Sequence, residues 1–311
     1  MGMATRDAYG KALVELGRAN PNIVVLDADL SKSTKTAAFA KEFPDRFFMC
    51  GIAEANMVGI AGGLAAGGKI PFASSFACFL LNKGFDQLRI AVAYPRMNAK
   101  FVGTHGGISI GEDGPSQMSV EDYALACALP GFTVMSPADE TSTRALVFRA
   151  AEHVGPVFMR VGRPKVPIVY PGKNEEFEIG KAKMVLDGRD VTLAGCGLMV
   201  AECVKAADAL AEEGVSARVL DIHTLKPLDS DAVEAAARDT GALVVAEEHL
   251  FDGGLCSRVA FAAAQSRPVP MEFVGINNTY AESGTAEELL EKYGLTAPHI
   301  VAAAHRVLKR K

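Results

Sequence analysis

Short apolar runs alternate with stretches of helical periodicity along nearly all of this chain, and that alternation constrains the fold more than any other feature. Residues 5–19 repeat their apolar positions at helical spacing, and Ile23-Val24-Val25-Leu26 then gives way to the polar loop DADLS. Further strands are expected at 47–49, 98–103, 133–135 and 157–160, with helices at 54–66, 79–93, 120–129 and 139–152. Strands separated by helices imply a parallel sheet covered on both faces, because each crossover needs a helix to return the chain.

The rhythm breaks at residues 163–190, which carry three prolines and many charges, and this segment reads as a linker. It then restarts with VTLAG, a helix at 199–213, SARVLDI, a helix at 229–239, ALVVAEE, a helix at 253–265 and MEFVGI. The expectation is an α/β protein of two domains, residues 1–172 and a smaller unit of four short strands over 185–311. A length of 311 residues suits that division.

A formal charge of -5 leaves no electrostatic footprint for nucleic acid, so a small metabolite or a protein is the expected partner. The six cysteines form neither a CxxC pair nor a Cys/His cluster, which fits buried thiols in a reducing compartment. The start is too charged for a signal peptide and the apolar runs are too short to span a membrane, so a cytoplasmic protein is expected.

In an open parallel sheet, ligands gather at the carboxyl ends of strands, and there the first half holds DADLSKS, CGIAE, THGGISIGEDGPSQ and MRVGRPK. Glu54 is the one charge in GIAEANMVGIAGGLAAGG. In one reading it complements a helix dipole; in the other it is a desolvated carboxylate on a helix whose glycines allow close approach of another backbone. Phe76 and Phe79 lie on an aromatic stripe that reads as core or as a face for a flat heterocycle. The loop 104–117 places four glycines around His105, Glu112 and Asp113, exposing backbone amides at a cost in ordering entropy. Arg160 and Arg163, with Arg6 and Ser33, are candidate contacts for a sugar phosphate; the alternative for each is a solvated surface group. Neither GxGxxG, nor a Walker A run, nor HExxH is present.

DADLSKS, GIAEANM, SSFACFLLNKGFDQLR, THGGISIGEDGPSQ, DIHTLKPLD and EEHLFDGG together make the whole chain resemble the carboxyl-terminal half of transketolase. The resemblance implies a pyrimidine-binding domain of thiamine-diphosphate enzymes followed by a transketolase C-terminal domain. It implies that Glu54 hydrogen-bonds the aminopyrimidine ring of thiamine diphosphate, that Phe79 stacks on that ring with Phe76 beside it, and that Asp29 lines the cofactor cleft. His105 would sit near the substrate or the diphosphate, and Asp113 would meet sugar hydroxyls. Arg6, Ser33 and Arg160 match phosphate-holding positions.

Three positions depart from the family pattern: Gln117 where a histidine is usual, Gly106 where an aspartate is usual, and Asn82 where an aromatic is usual. These bear on the substrate set. The GDG motif with a downstream asparagine that grips magnesium and diphosphate is also missing, GEDG at 111–114 lacking its partner. The resemblance therefore implies a separate N-terminal transketolase subunit that supplies the Mg2+ and diphosphate ligands, in an α2β2 heterotetramer. Rival readings are the β subunit of a 2-oxo acid dehydrogenase, a deoxyxylulose-phosphate-synthase-like enzyme, and a non-catalytic interaction subunit.

Overall fold

The computed structural model describes residues 1–172 and 175–311. Its first half runs α1 (Thr5–Ala19), β1 (Ile23–Asp27), α2 (Ser31–Thr34), α3 (Ala37–Glu42), β2 (Phe47–Met49), α4 (Glu54–Ala66), β3 (Ile70–Phe76), α5 (Ala77–Gln87), β4 (Lys100–Thr104), α6 (Asp122–Ala128), β5 (Thr133–Met135), α7 (Glu140–Glu152) and β6 (Val157–Val161). The second half runs β7 (Lys183–Leu186), β8 (Val191–Gly195), α8 (Met199–Glu212), β9 (Ala217–Asp221), β10 (Thr224–Lys226), α9 (Ser230–Thr240), β11 (Leu243–Leu250), α10 (Leu255–Ser266), β12 (Met271–Ile276), α11 (Ala286–Lys292) and α12 (Ala297–Leu308).

Strands β1 to β6 pair in parallel as β5-β6-β4-β3-β1-β2, each buried between helices except the short edge strand β2. A central parallel strand has both faces covered, which is why β1, β4 and β6 are buried at every residue rather than at alternate ones.

Three strands differ from the expectation: β3 lies in the first sheet between β1 and β4, where no strand is expected, because Pro71, Ser74 and Ser75 break its apolar run, and β7 and β10 depart from a linker and a four-stranded second sheet. The second sheet has five strands, β12-β11-β8-β9-β7, because Lys183–Leu186 inside the expected linker pairs antiparallel with β9. Its alternating burial is that of an edge strand with one wet face, a weaker apolar signal than a central run. Strand β10, in the expected loop DIHTLKPLD, joins the first sheet instead, antiparallel to β5. Lys226 at its end donates to the carbonyls of Cys127 (2.9 Å) and Leu129 (2.6 Å), closing the carboxyl end of α6. The halves are thus stitched together, and one apolar core runs from Met57 and Leu80 through Phe101 and Phe132 to Leu225 and Val245.

Helix α5 starts at Ala77, two residues earlier than the spacing predicts, and a π-helical turn over Leu88–Ala93 replaces its expected last turns. The early start puts Phe76 at the end of β3 and Phe79 in the first helical turn. In α4, Gly62 fits where a Cβ would come within 2.8 Å of the Ala91 carbonyl oxygen, so α4 does press on a second backbone.

Candidate functional site

The carboxyl ends of β1, β3, β4 and β6 converge with the N-terminus of α4 and the first turn of α1. Glu54 is the first residue of α4 and is 2% exposed. Its Oε1 accepts from Ser75 Oγ at 3.1 Å, while among the described residues Oε2 faces only Lys83 Nζ at 3.7 Å, beyond hydrogen-bond length. The dipole role and the desolvated carboxylate are therefore both realised in one side chain. Lys83, half-exposed, lies 4.5 Å from the Phe79 ring centroid. The flat face of Phe79 and the underused oxygen of Glu54 thus open on the same space, bridged by one flexible side chain.

Phe76 and Phe79 stack with centroids 5.7 Å apart and planes at 12°, and the His105 ring lies against Phe76 at 3.9 Å. His105 leaves the end of β4 with φ at +59°, and its ring is buried. Nε2 is 2.5 Å from Arg6 Nη1 and Nδ1 is 2.7 Å from Thr104 Oγ1. Burial, reinforced by the cations Arg6, Arg163 and Lys35, brings the imidazole down to about 3 from its ordinary range. The ring is therefore neutral, and because a guanidinium only donates, Nε2 is the acceptor and Nδ1 carries the proton toward Thr104.

Arg6 is held by the end of β6: its amide donates to the Gly162 carbonyl (3.3 Å) and Gly162 N donates to Thr5 Oγ1 (2.7 Å). Its Nη1 also donates to the Ser33 carbonyl at 3.3 Å, which brings Ser33 to the same place. Arg6 Nε is buried with no hydrogen-bond partner among the described residues, so this guanidinium has spare donor capacity. The loop carrying Ser33 is tied down by buried Asp27, which accepts from Leu30 N (2.6 Å), Thr34 Oγ1 (2.6 Å) and Thr36 Oγ1 (2.8 Å).

Arg163 Nη1 donates to the Ile110 carbonyl and to Glu112 Oε2 (3.0 Å), and stands 3.8 Å from Asp113 Oδ2. Asp113 is exposed on the glycine loop, which leans on the second half: a Cβ at Gly114 would meet Ser283 Oγ at 2.5 Å. Gln117 Oε1 accepts from Ser116 Oγ at 2.5 Å, and its carbonyl accepts from Cys78 Sγ at 3.1 Å, beside the Phe79 turn. Asp29 is exposed with φ at +66°. It has no hydrogen bond to the other candidates. Asn82 donates to Glu121 Oε1 at 2.9 Å.

Arg160 requires a correction. It was expected among the phosphate contacts, yet it is 4% exposed and its guanidinium is committed to Asp122 Oδ1 (3.3 Å) and Glu248 Oε2 (3.1 Å), over the Tyr123 ring at 4.5 Å. The physical reason is position. Arg160 lies within central strand β6, where both faces are covered, whereas Arg163 lies two residues beyond the strand and reaches the surface. Sequence reasoning also missed Ser75, Thr104, Asp27 and Lys83, hydroxyls and charges that act by orienting their neighbours.

Among the described residues, no group of three or more His, Cys, Asp or Glu side chains is placed to hold a metal ion. The residues present fit the pyrimidine end of a thiamine coenzyme: a buried carboxylate with an unused oxygen, beside an aromatic face.

Comparison with known proteins gives two family matches, the transketolase pyrimidine binding domain over residues 1–169 and the transketolase C-terminal domain over 180–300. A Methanocaldococcus jannaschii protein described as a transketolase C-terminal section is 42% identical over 308 residues, covering 98% of this chain and 96% of that one. A 6-deoxy-6-sulfo-D-fructose transketolase subunit from a Clostridium species is 43% identical over 307 residues, covering 98% and 95%. A solved split-gene transketolase, described as an inactive beta4 tetramer, superposes with a TM-score of 0.94 at 50% identity over the whole of both chains.

Proposed function

We propose a detailed function for a chain that belongs to the transketolase family and is a transketolase subunit. Paired with a separate N-terminal subunit, it transfers a two-carbon ketol unit from a ketose phosphate to an aldose acceptor. Thiamine diphosphate, once bound, supplies the nucleophilic carbon and the electron sink for that transfer. The 2-oxo acid dehydrogenase and deoxyxylulose-phosphate-synthase readings are not favoured by these relatives.

The observation that carries the reading is Glu54, a buried carboxylate at the start of a helix with one oxygen fixed by Ser75 and the other open beside Phe79. Such a group can hold and return a proton at a ring nitrogen, and a water-poor setting strengthens that hydrogen bond. Lys83 would swing out to leave the Phe79 face to the pyrimidine, with Phe76 behind it and Asp29 at the cleft edge. His105, neutral with Nε2 as its accepting atom, orients a substrate hydroxyl or a coenzyme phosphate oxygen. Arg6, Ser33 and Arg163 hold the substrate phosphate, whose binding energy then fixes the reacting carbonyl. Asp113 takes sugar hydroxyls, and Gln117 donates a hydrogen bond where a histidine is usual.

Several features support a second chain. Relatives of nearly the same length are named as a subunit, a C-terminal section and a split-gene product, and the beta4 assembly is described as inactive. Helix α4 is apolar nearly all round, yet a Cβ at Gly59 or Gly63 would meet nothing within 4 Å among the described residues, and Ile52 is 77% exposed beside it. An apolar helix with a bare small-residue face suits coverage by another subunit. Magnesium and diphosphate ligands are assigned to that subunit, in an α2β2 heterotetramer. A cytoplasmic setting fits six unpaired cysteines.

The test mixes the purified chain with its cognate diphosphate-domain subunit, thiamine diphosphate and Mg2+, and follows ketose-phosphate consumption. Ketol transfer requiring all four components is expected. Full activity from this chain without the second subunit, or pyruvate decarboxylation in place of ketol transfer, would overturn the reading.

A further inference from the structure

The tripeptide Glu247-Glu248-His249, from the EEHLFDGG motif near the end of β11, is fully enclosed, and each side chain serves a different neighbour. Glu247 receives Leu255 N (2.6 Å) and Cys256 N (2.8 Å) at the start of α10, within its own half. The other two reach the first half. His249 Nε2 accepts from Ala124 N at 3.3 Å, and its Nδ1 lies 2.6 Å from the Leu250 carbonyl. Glu248 Oε1 accepts from Ser109 N at 2.6 Å and Glu248 Oε2 from Arg160 Nη2 at 3.1 Å, while the Glu248 carbonyl accepts from the same Nη2 at 2.9 Å.

Ser109 and Arg160 flank the turn that begins at His105. A Cβ at Gly106 would come within 2.1 Å of Arg160 Nε, and one at Gly107 within 2.1 Å of the Glu248 carboxyl carbon. The His-Gly-Gly turn therefore lies directly on the Arg160–Glu248 ion pair, which accounts for Gly106 in physical terms. The turn is closed by Gly107 N to the Ser119 carbonyl (2.7 Å), and Leu250 N to the Val120 carbonyl (2.9 Å) ties its return limb to β11. His105 holds its left-handed φ because the next two residues are clamped from the other half of the molecule.

We propose that Glu248 is a positioning residue for His105: through Arg160 and the Ser109 amide it fixes the turn that points the imidazole at Arg6. It touches neither substrate nor coenzyme. It acts across the junction between the halves, so the second half contributes to the first half's site without lending an atom to it. The groups facing this carboxylate are Arg160, Asp122 and the backbone of 107–109, with His249 next in the strand.

His105 matters to turnover only if the ketol-transfer reading holds, so the test has two arms. In the first, the isolated chain is labelled with 15N-histidine, and the six histidines are sorted with a His105→Gln variant that removes one signal set. Glu248→Gln is expected to shift the His105 ring nitrogens and weaken the Nδ1-H tautomer. Glu247→Gln, which alters the cap of α10 without contacting the turn, is expected to leave them in place. In the second arm, the reconstituted pair carrying Glu248→Gln is expected to lose about tenfold in kcat with KM changed less than about threefold, as for a misplaced rather than missing group. Glu248→Asp, restoring the charge, should recover part of that loss. Unmoved His105 signals in Glu248→Gln, or equal shifts in both variants, would overturn the proposal. Shifted signals in an assembly whose parent shows no ketol transfer would support it while sinking the activity reading alone.

Discussion

The two sheets of this protein both collect charged residues at the carboxyl ends of their strands, and they treat them in opposite ways. In the second half, Asp221 is enclosed and receives Tyr170 OH at 2.8 Å, and the carboxylates at 247 and 248 are met by amides and by Arg160. In the first half, among the described residues, Glu54 keeps one oxygen with only a distant lysine, Arg6 Nε donates to nothing, and Asp29 and Asp113 stand in solvent. Position at a strand end is common to both. Unmet hydrogen-bonding capacity that a ligand can reach is what separates a site from a structural joint: Asp221 Oδ1 also lacks a partner among the described residues, but it is sealed within the fold.

The largest expected effect follows from that difference. Glu54→Gln keeps an oxygen for Ser75 and the same volume, so the variant should fold and assemble as the parent does. It removes the charge that can take up a proton at a ring nitrogen, and turnover of the reconstituted pair should fall by about 10²-fold or more. Near-parental turnover would erase the distinction between the two strand-end sets.

The arginines of β6 and the loop beyond it sharpen the comparison next, because they sit three residues apart on opposite sides of it. Arg160→Ala strands the carboxylates of Asp122 and Glu248 in the interior. Burial already pushes Asp122 up to about 7 with Arg160 opposing it, and loss of a partner in such a pair typically costs about 3–5 kcal/mol. Arg163→Ala, at a partly exposed position, should change denaturant stability by no more than about 0.5 kcal/mol. Its effect should appear instead as about a tenfold rise in KM for a phosphorylated donor, with little change for an unphosphorylated one. Urea titration and steady-state kinetics on both variants separate the roles, and a reversed pattern would return Arg160 to the phosphate site.

That pair also shows what was legible in the sequence. Strand β1 and the helix starting at Glu54 were readable because double-sided burial writes itself as an unbroken apolar run and a glycine-rich helix as close packing, whereas central β3 was not, its run broken by Pro71, Ser74 and Ser75. The depth of Arg160 was not, since a strand end one residue away from where it was drawn moves a guanidinium from solvent to core. Strands β7 and β10 were hidden for a related reason: antiparallel edge strands alternate or run short, and β10 gains its partner from a sheet far off in the chain. The Phe76–Phe79 stack was visible as a spacing, but whether it faced core or ligand depended on α5 beginning at Ala77. Glu248 lay in a visible motif, EEHLFDGG, but nothing local gave its role. Its partners lie at 109 and 160, and only the fold brings them to it.

The smallest expected effect centres on a second-half carboxylate and should leave catalysis alone. Desolvation raises the Asp221 carboxyl from its ordinary value to about 7, with the Tyr170 hydroxyl and Lys183 pulling it down and Asp139 pushing it up. Below the ordinary range both folded and unfolded chains hold the proton, so the group contributes no pH dependence there. Between that range and about 7 the unfolded chain has lost the proton while the folded chain retains it, so stability falls as pH rises, and it levels off once the folded carboxyl also ionises. Asp221→Asn cannot ionise. Any constant cost of its extra donor, beside an Oδ1 that has no partner among the described residues, is the same at every pH. The melting-temperature gap between variant and parent should therefore shift in the variant's favour from pH 4 to pH 7, at roughly 2–4 °C per kcal/mol, and stay flat above. Ketol transfer at neutral pH should be within about twofold of the parent, because a strand end enclosed away from the site acts through the fold. A pH-independent gap would mean that Asp221 is ionised in the folded chain across the whole range, and the contrast between the two sheets would then rest on the first alone.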